Sequence, residues 1–190
     1  MLLEPGKYYH IYNRGNNREI LFKEARNYPY FLNLWKRHIL PIADTFAYSL
    51  LPNHFHFAIR VKTGTGRSPR DLSRCFANLF AAYAKAVNKG YDRTGSLFQK
   101  NFQRKEIDAG LHMGQLILYI HTNAEKHGLT ANYCDYAHSS FTAMLSEKPT
   151  QLQRAEVLAL FGGKEAFRAA HEGYTISNCP DLFEAPGDDE

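Results

Sequence analysis

Cysteine is scarce in this chain, long apolar runs are missing, and acidic residues are thin over its first half. Each shortage narrows the reading. The three cysteines, Cys75, Cys134 and Cys179, are odd in number, far apart and without a CxxC pair, which argues against a disulfide framework or a cysteine zinc site and for reduced, structural thiols. No apolar stretch approaches the roughly eighteen residues of a membrane span, and MLLEPGKYYH at the start has neither a basic n-region nor an apolar h-region. The expectation is a soluble, cytoplasmic protein with no membrane partner. Internal repeats and a nucleotide-cradling P-loop are also missing. What is present is 44% hydrophobic residues in 190, enough for one domain with a real core and too many for collagen, coiled coil or wholesale disorder.

The net charge is only +4, but it is unevenly spread. Residues 1–107 hold 18 Lys and Arg against 7 Asp and Glu, whereas residues 108–190 hold 5 against 12. A basic first half suits a polyanion such as nucleic acid, although many basic domains bind none.

Along the chain, KYYHIYN over residues 7–13 alternates with the period of a strand and stops at a basic turn, Arg14-Gly15-Asn16-Asn17-Arg18. Tyr28, Phe31, Leu32, Trp35, His38 and Ile39 recur at helical spacing before Pro41. Residues 44–51 and 53–62 read as two strands joined at Pro52-Asn53, a link short enough for an antiparallel hairpin. Ser68 caps a helix with Pro69 at its first position, running to about residue 88; a short strand follows at 101–107, then a helix from Leu111 that ends at Gly128. The order βαββαβα predicts an α+β fold: a ferredoxin-like split βαβ sheet of four mostly antiparallel strands with helices on one face. Residues 151–170 add a helical pattern broken at Gly162-Gly163, and EAPGDDE from Glu184 reads as an acidic, disordered tail.

Two constellations carry chemistry. In Pro52-Asn53-His54-Phe55-His56-Phe57 the two histidines, two apart on a strand, share one face and can converge on one ion while the phenylalanines enter the core behind them. Alone, an HxH pair more often decorates a solvent face. Further on, Tyr119 and Asn123 stand one helical turn apart, so a phenol and an amide project over one surface. A helical tyrosine is most often packing, because a phenol with pKa near 10 is a poor nucleophile unless a metal or base assists.

Taken together, Leu-Pro-Asn-His-Phe-His at 51–56 and Tyr-Ile-His-Thr-Asn-Ala-Glu-Lys-His-Gly at 119–128 resemble the single-tyrosine HUH transposases, the group that includes REP-associated tyrosine transposases and small insertion-sequence transposases. Tyr9 to Asn17 resembles that family's first strand and turn, and Arg93 to Gln99 its loop before the last strand; the match spans about residues 7–142. The resemblance implies a catalytic domain over 1–145, followed by a helical extension over 146–190. It also implies a metal-dependent single-stranded DNA endonuclease and strand transferase active in transposition. His54 and His56 would hold Mg²⁺ or Mn²⁺, Asn123 would be the third ligand, and Tyr119 would attack phosphorus to give a 5′-phosphotyrosine and a free 3′-hydroxyl. The energy kept in that ester makes ATP unnecessary. Ala124 stands where relatives often have proline, and residues 133–140 lack their tryptophan, which opens the question of how the helix ends.

Single-stranded or hairpin DNA is the implied partner, with Arg14, Arg18, Arg67, Arg70, Arg74, Lys85, Lys89, Arg93, Lys100, Arg104 and Lys105 as candidate contacts. A homodimer, with or without exchanged helices, suits a reaction that cuts and joins two strands. The rival reading is a non-catalytic binder of single-stranded nucleic acid on an RRM-like sheet, although the aromatic strand of that module is missing. His121 points away from Tyr119, and His127 caps the helix end. His10, His38, His112, His138 and His171 have no partner nearby in the chain and read as surface or core histidines.

Overall fold

The computed structural model describes residues 2–174. Cys179 and the tail expected from Glu184 lie outside them. Four strands, β1 (Tyr8–Arg14), β2 (Ala43–Leu51), β3 (His54–Val61) and β4 (Gln103–Ile107), form one sheet in the order β2-β3-β1-β4. All three pairings are antiparallel. Among the described residues there are six α-helices: α1 (Asn27–His38), α2 (Pro69–Gly90), α3 (Leu111–Lys126), α4 (Phe141–Leu145), α5 (Arg154–Phe161) and α6 (Lys164–Glu172). The α+β split βαβ architecture is therefore present, and no described helix is long and apolar enough to cross a membrane.

The expectation of helices on one face is corrected. β1 and β3 are buried along nearly their whole length, so both sides of the sheet need cover. On one side Tyr9, Ile11, Phe55, Phe57 and Ile59 pack with Phe31 and Trp35 of α1 and Phe76, Leu79 and Tyr83 of α2. Trp35 stacks on Phe57 with ring centroids 3.5 Å apart and donates from Nε1 to Thr45 Oγ1 at 3.0 Å, so the one tryptophan is both packed and satisfied. On the other side Phe46, Ala47 and Ala58 meet Leu116, Ile117, Tyr119 and Ile120 of α3. Period-two alternation thus sends the phenylalanines of β3 towards α1 and α2 and its histidines towards α3.

Local chemistry sets the ends of these elements. Ser68 Oγ accepts from Asp71 N at 3.2 Å with Pro69 in the first turn of α2, as its sequence predicts. α3 continues through Ala124 to Lys126 and stops where Gly128 adopts φ +65°, its N–H donating to Glu125 O at 2.9 Å.

β2 is an edge strand, but segments beyond α3 cover it. Leu50 N donates to His138 O, Ser140 N to Tyr48 O and Gln153 N to Thr45 O, all at 2.9–3.0 Å. These bonds occupy edge groups that would otherwise be open to another chain. Val157 of α5 and Phe167 of α6 are fully buried in the same cluster as α3.

Candidate functional site

The site begins at a glycine. A Cβ on Gly15 would stand 1.9 Å from Glu19 O, so only glycine lets the 15–19 turn close. Gly15 N then donates to Asn53 O at 2.7 Å, and Leu21 N and Phe22 N both donate to Pro52 O, which fixes the β2–β3 turn against this loop. Asn53 Oδ1 lies 2.7 Å from His54 Nδ1. An amide oxygen can only accept, so Nδ1 carries the hydrogen and Nε2 keeps the lone pair.

That lone pair faces the helix. His54 Nε2 is 3.3 Å from Asn123 Oδ1, one acceptor against another. Either the amide turns over to donate, or the two acceptors would hold a cation together. His56 stands edge-on to His54 with ring centroids 5.1 Å apart. His56 Nε2, Asn123 Nδ2 and Ser49 Oγ are buried without a hydrogen-bond partner among the described residues, and Ser49 lies directly opposite His56 across the strands. Buried polar atoms normally find partners, so three orphans around one spot fit a polar guest.

Burial and the nearby His127 and Arg14 bring the His54 pKa down to about 3. Burial, and then His10 and His54, hold His56 well below the ordinary value. Both imidazoles are therefore neutral, the form that binds a cation. Among the described residues no group of three or more His, Cys, Asp or Glu could hold an ion. The donors here are two imidazoles and an amide, which suit a divalent ion and leave positions for phosphate oxygen and water.

Tyr119 comes to the same place from α3, its ring edge-on to His56 at 5.5 Å and to His10 at 6.0 Å. At 2% exposure the phenol is docked inside the site. Two other tyrosines, on α2 and just after it, point elsewhere: Tyr83 OH donates to Leu21 O within the opposite core, and Tyr91 OH donates to Asn27 Oδ1. Thus His54, His56, Asn123 and Tyr119 meet within one chain.

The basic residues divide. Arg70, Arg74, Lys100 and Arg104 line an open groove of about 840 Å³ between α2 and the segment before β4, with Phe80, Phe98 and Phe102 in its wall. Arg104 lies 4.7 Å over the Phe102 ring and donates to Ser73 Oγ at 2.9 Å. Arg14 pairs with His54 in the β1–β3 register, and Arg18 is exposed on the adjoining turn. Lys85 and Lys89 are exposed on α2, and Lys105 lies on β4 opposite His10. Arg67 reaches Cys75 Sγ at 3.3 Å, and Arg93 is held between Glu19 and Asn88.

No family model matches the chain, and no curated protein matches it. Among solved structures the chain is similar to a REP-associated tyrosine transposase bound to a REP hairpin, with a TM-score of 0.62. The two folds are alike. The similarity covers 78% of this chain and 86% of that one at 18% identity, so it speaks for the architecture and leaves the chemistry to the residues.

Several residues near the site escape a reading along the chain. His10 Nε2 lies 2.9 Å from His56 Nδ1, and His127 contacts His54 with ring centroids 4.9 Å apart. His121 is directed away from Tyr119 as expected, with Nδ1 2.9 Å from His171 Nε2 and Nε2 2.7 Å from Ser140 Oγ. His138 stacks on Tyr28 with centroids 3.4 Å apart. Each of these partners comes from a distant segment, so helical or strand periodicity carries no signal for them.

Proposed function

We propose that this protein is a divalent-metal-dependent endonuclease and strand transferase acting on single-stranded or hairpin DNA, of the kind that moves DNA in transposition. The observation that carries the reading is the meeting of Tyr119 with His54, His56 and Asn123 on one buried face. The similar fold of the hairpin-bound transposase supports it.

His54, His56 and Asn123 would hold Mg²⁺ or Mn²⁺, which when bound withdraws charge from a scissile phosphate. The neutral ligand set leaves the charge of such an ion to be balanced by the phosphate itself. Packing of Tyr119 against His10 and His56 fixes its ring and removes the entropic cost of bringing the phenol to its target. In the step the bond from Tyr119 Oη to phosphorus forms as the bond from phosphorus to O3′ breaks, and the proton given up by the phenol balances the one that O3′ takes up as it leaves as a hydroxyl. The 5′-phosphotyrosine keeps the energy for rejoining. The groove of Arg70, Arg74, Lys100 and Arg104 supplies phosphate contacts, and Arg14 and Arg18 border the site on the turn beside His54.

The test is incubation of the full chain with Mn²⁺ and a labelled library of single-stranded and hairpin DNA, followed by denaturing electrophoresis. A metal-dependent adduct that survives denaturation is expected. Retained DNA with no adduct across the library would favour the non-catalytic binder.

A further inference from the structure

We propose that His10 is a positioning residue for the metal site: it fixes the tautomer and ring orientation of His56 so that His56 Nε2 presents a lone pair to the ion. The inference rests on the metal reading above.

A neutral imidazole carries one ring hydrogen. His56 Nδ1 lies 2.9 Å from His10 Nε2, and both rings are buried. His56 Nε2 is the nitrogen without a partner among the described residues. If the hydrogen sat on Nε2, that nitrogen would offer no lone pair to an ion. With the hydrogen on Nδ1, His56 donates to His10 Nε2 and the free lone pair is at Nε2. In that form His10 Nε2 accepts, and His10 carries its own hydrogen on Nδ1.

The strand register makes this arrangement rigid. Tyr12 is directly opposite His56, and His10 is opposite Ala58, so His10 and His56 are diagonal neighbours on the face that α3 covers. The Tyr12 ring lies 4.7 Å from that of His10 and 5.9 Å from that of His56, while Tyr119 meets both edge-on. Metal-binding histidines usually place their second nitrogen on a carboxylate or carbonyl, and removal of that partner costs about 10–100-fold in affinity. Here a neutral imidazole takes the place, so the protein adds no negative charge to the site.

The experiment uses the full chain without DNA. Long-range ¹H–¹⁵N spectra of the imidazoles report the tautomers of the wild-type protein, and Mn²⁺ paramagnetic resonance reports affinity for the metal alone. His56 is expected as the Nδ1–H form. His10→Phe keeps a ring without an acceptor and should weaken Mn²⁺ binding at least about 10-fold, whereas His10→Gln, whose carbonyl can accept, should stay within roughly threefold of wild type. Circular dichroism checks that each variant folds, and the tautomer spectrum stands even if neither does. Equal Mn²⁺ affinity in a folded His10→Phe protein, or a glutamine variant as weak as the phenylalanine one, overturns the role of His10 and leaves the metal reading intact, whereas His56 in the Nε2–H form overturns the role of His10 and removes His56 Nε2 as a ligand. A wild-type protein that binds no Mn²⁺ removes the metal reading and this inference with it.

Discussion

Orphaned polar atoms at the centre of a protein cost stability, and among the described residues His56 Nε2, Asn123 Nδ2 and Ser49 Oγ are such atoms at the candidate site. A guest that binds them must stabilise the fold by linkage, about 2.7 kcal/mol at a hundred times its dissociation constant. Mn²⁺ should therefore raise the thermal midpoint of the wild-type protein, and a chelator should return it. Asn123→Leu removes a buried amide of similar size; the metal-free protein should hold its stability or gain about 1 kcal/mol, while the rise with Mn²⁺ disappears. Clear destabilisation with the Mn²⁺ response intact would contradict that expectation. At this scale the sequence was legible where spacing is local. Two residues along a strand put His54 with His56, and four along a helix put Tyr119 with Asn123. His10 was opaque because its partner lies 46 positions away and meets it only through the β1–β3 register.

Elements decide which way these residues face. Strand and helix order was readable from periodicity and from end signals such as Ser68, Pro69 and Gly128. The side of the sheet taken by α3 was not, because amphipathic helices fit either face until the burial of both is known. Behind α3 a directed chain of hydrogen bonds holds the C-terminal helices: His171 Nδ1 donates to Phe167 O at 2.7 Å, which leaves His171 Nε2 to accept from His121 Nδ1, and His121 Nε2 to accept from the Ser140 hydroxyl. Tyr48 N donates to Ser140 Oγ at 2.8 Å, tying the chain to β2. Burial lowers the His171 pKa to about 4. The unfolded chain takes a proton near 6.5, so the contribution of this neutral ring is full above that pH and is lost as pH falls from 6.5 towards 4, by as much as roughly 3 kcal/mol. Thermal midpoints measured over that range should fall more steeply for wild type than for His171→Phe. Parallel curves would mean that the ring does not report on folding.

For the whole molecule the proposed function asks the basic groove and the buried site to serve one strand of DNA. Binding through several phosphates makes log affinity fall with log salt at about 0.7 per contact on single strands, and Arg70→Gln with Arg74→Gln should flatten the slope by roughly that amount for each contact removed. An unchanged slope would place the DNA elsewhere. One chain brings His54, His56, Asn123 and Tyr119 together, so a homodimer, which stands as a proposal, needs no exchange of helices to complete its sites. Co-refolding His54→Ala/His56→Ala chains with Tyr119→Phe chains should then give heterodimers without cleavage; recovered cleavage would show sites built from two chains. The most direct measurement of the account is made on Tyr119→Phe itself, which deletes one oxygen and keeps the packed ring. Titrated with Mn²⁺ and a DNA that wild type converts to a covalent adduct, the variant should bind metal and DNA as wild type does and form no adduct at all. An adduct formed by the folded Tyr119→Phe protein would contradict the account, because the nucleophile would lie outside this site.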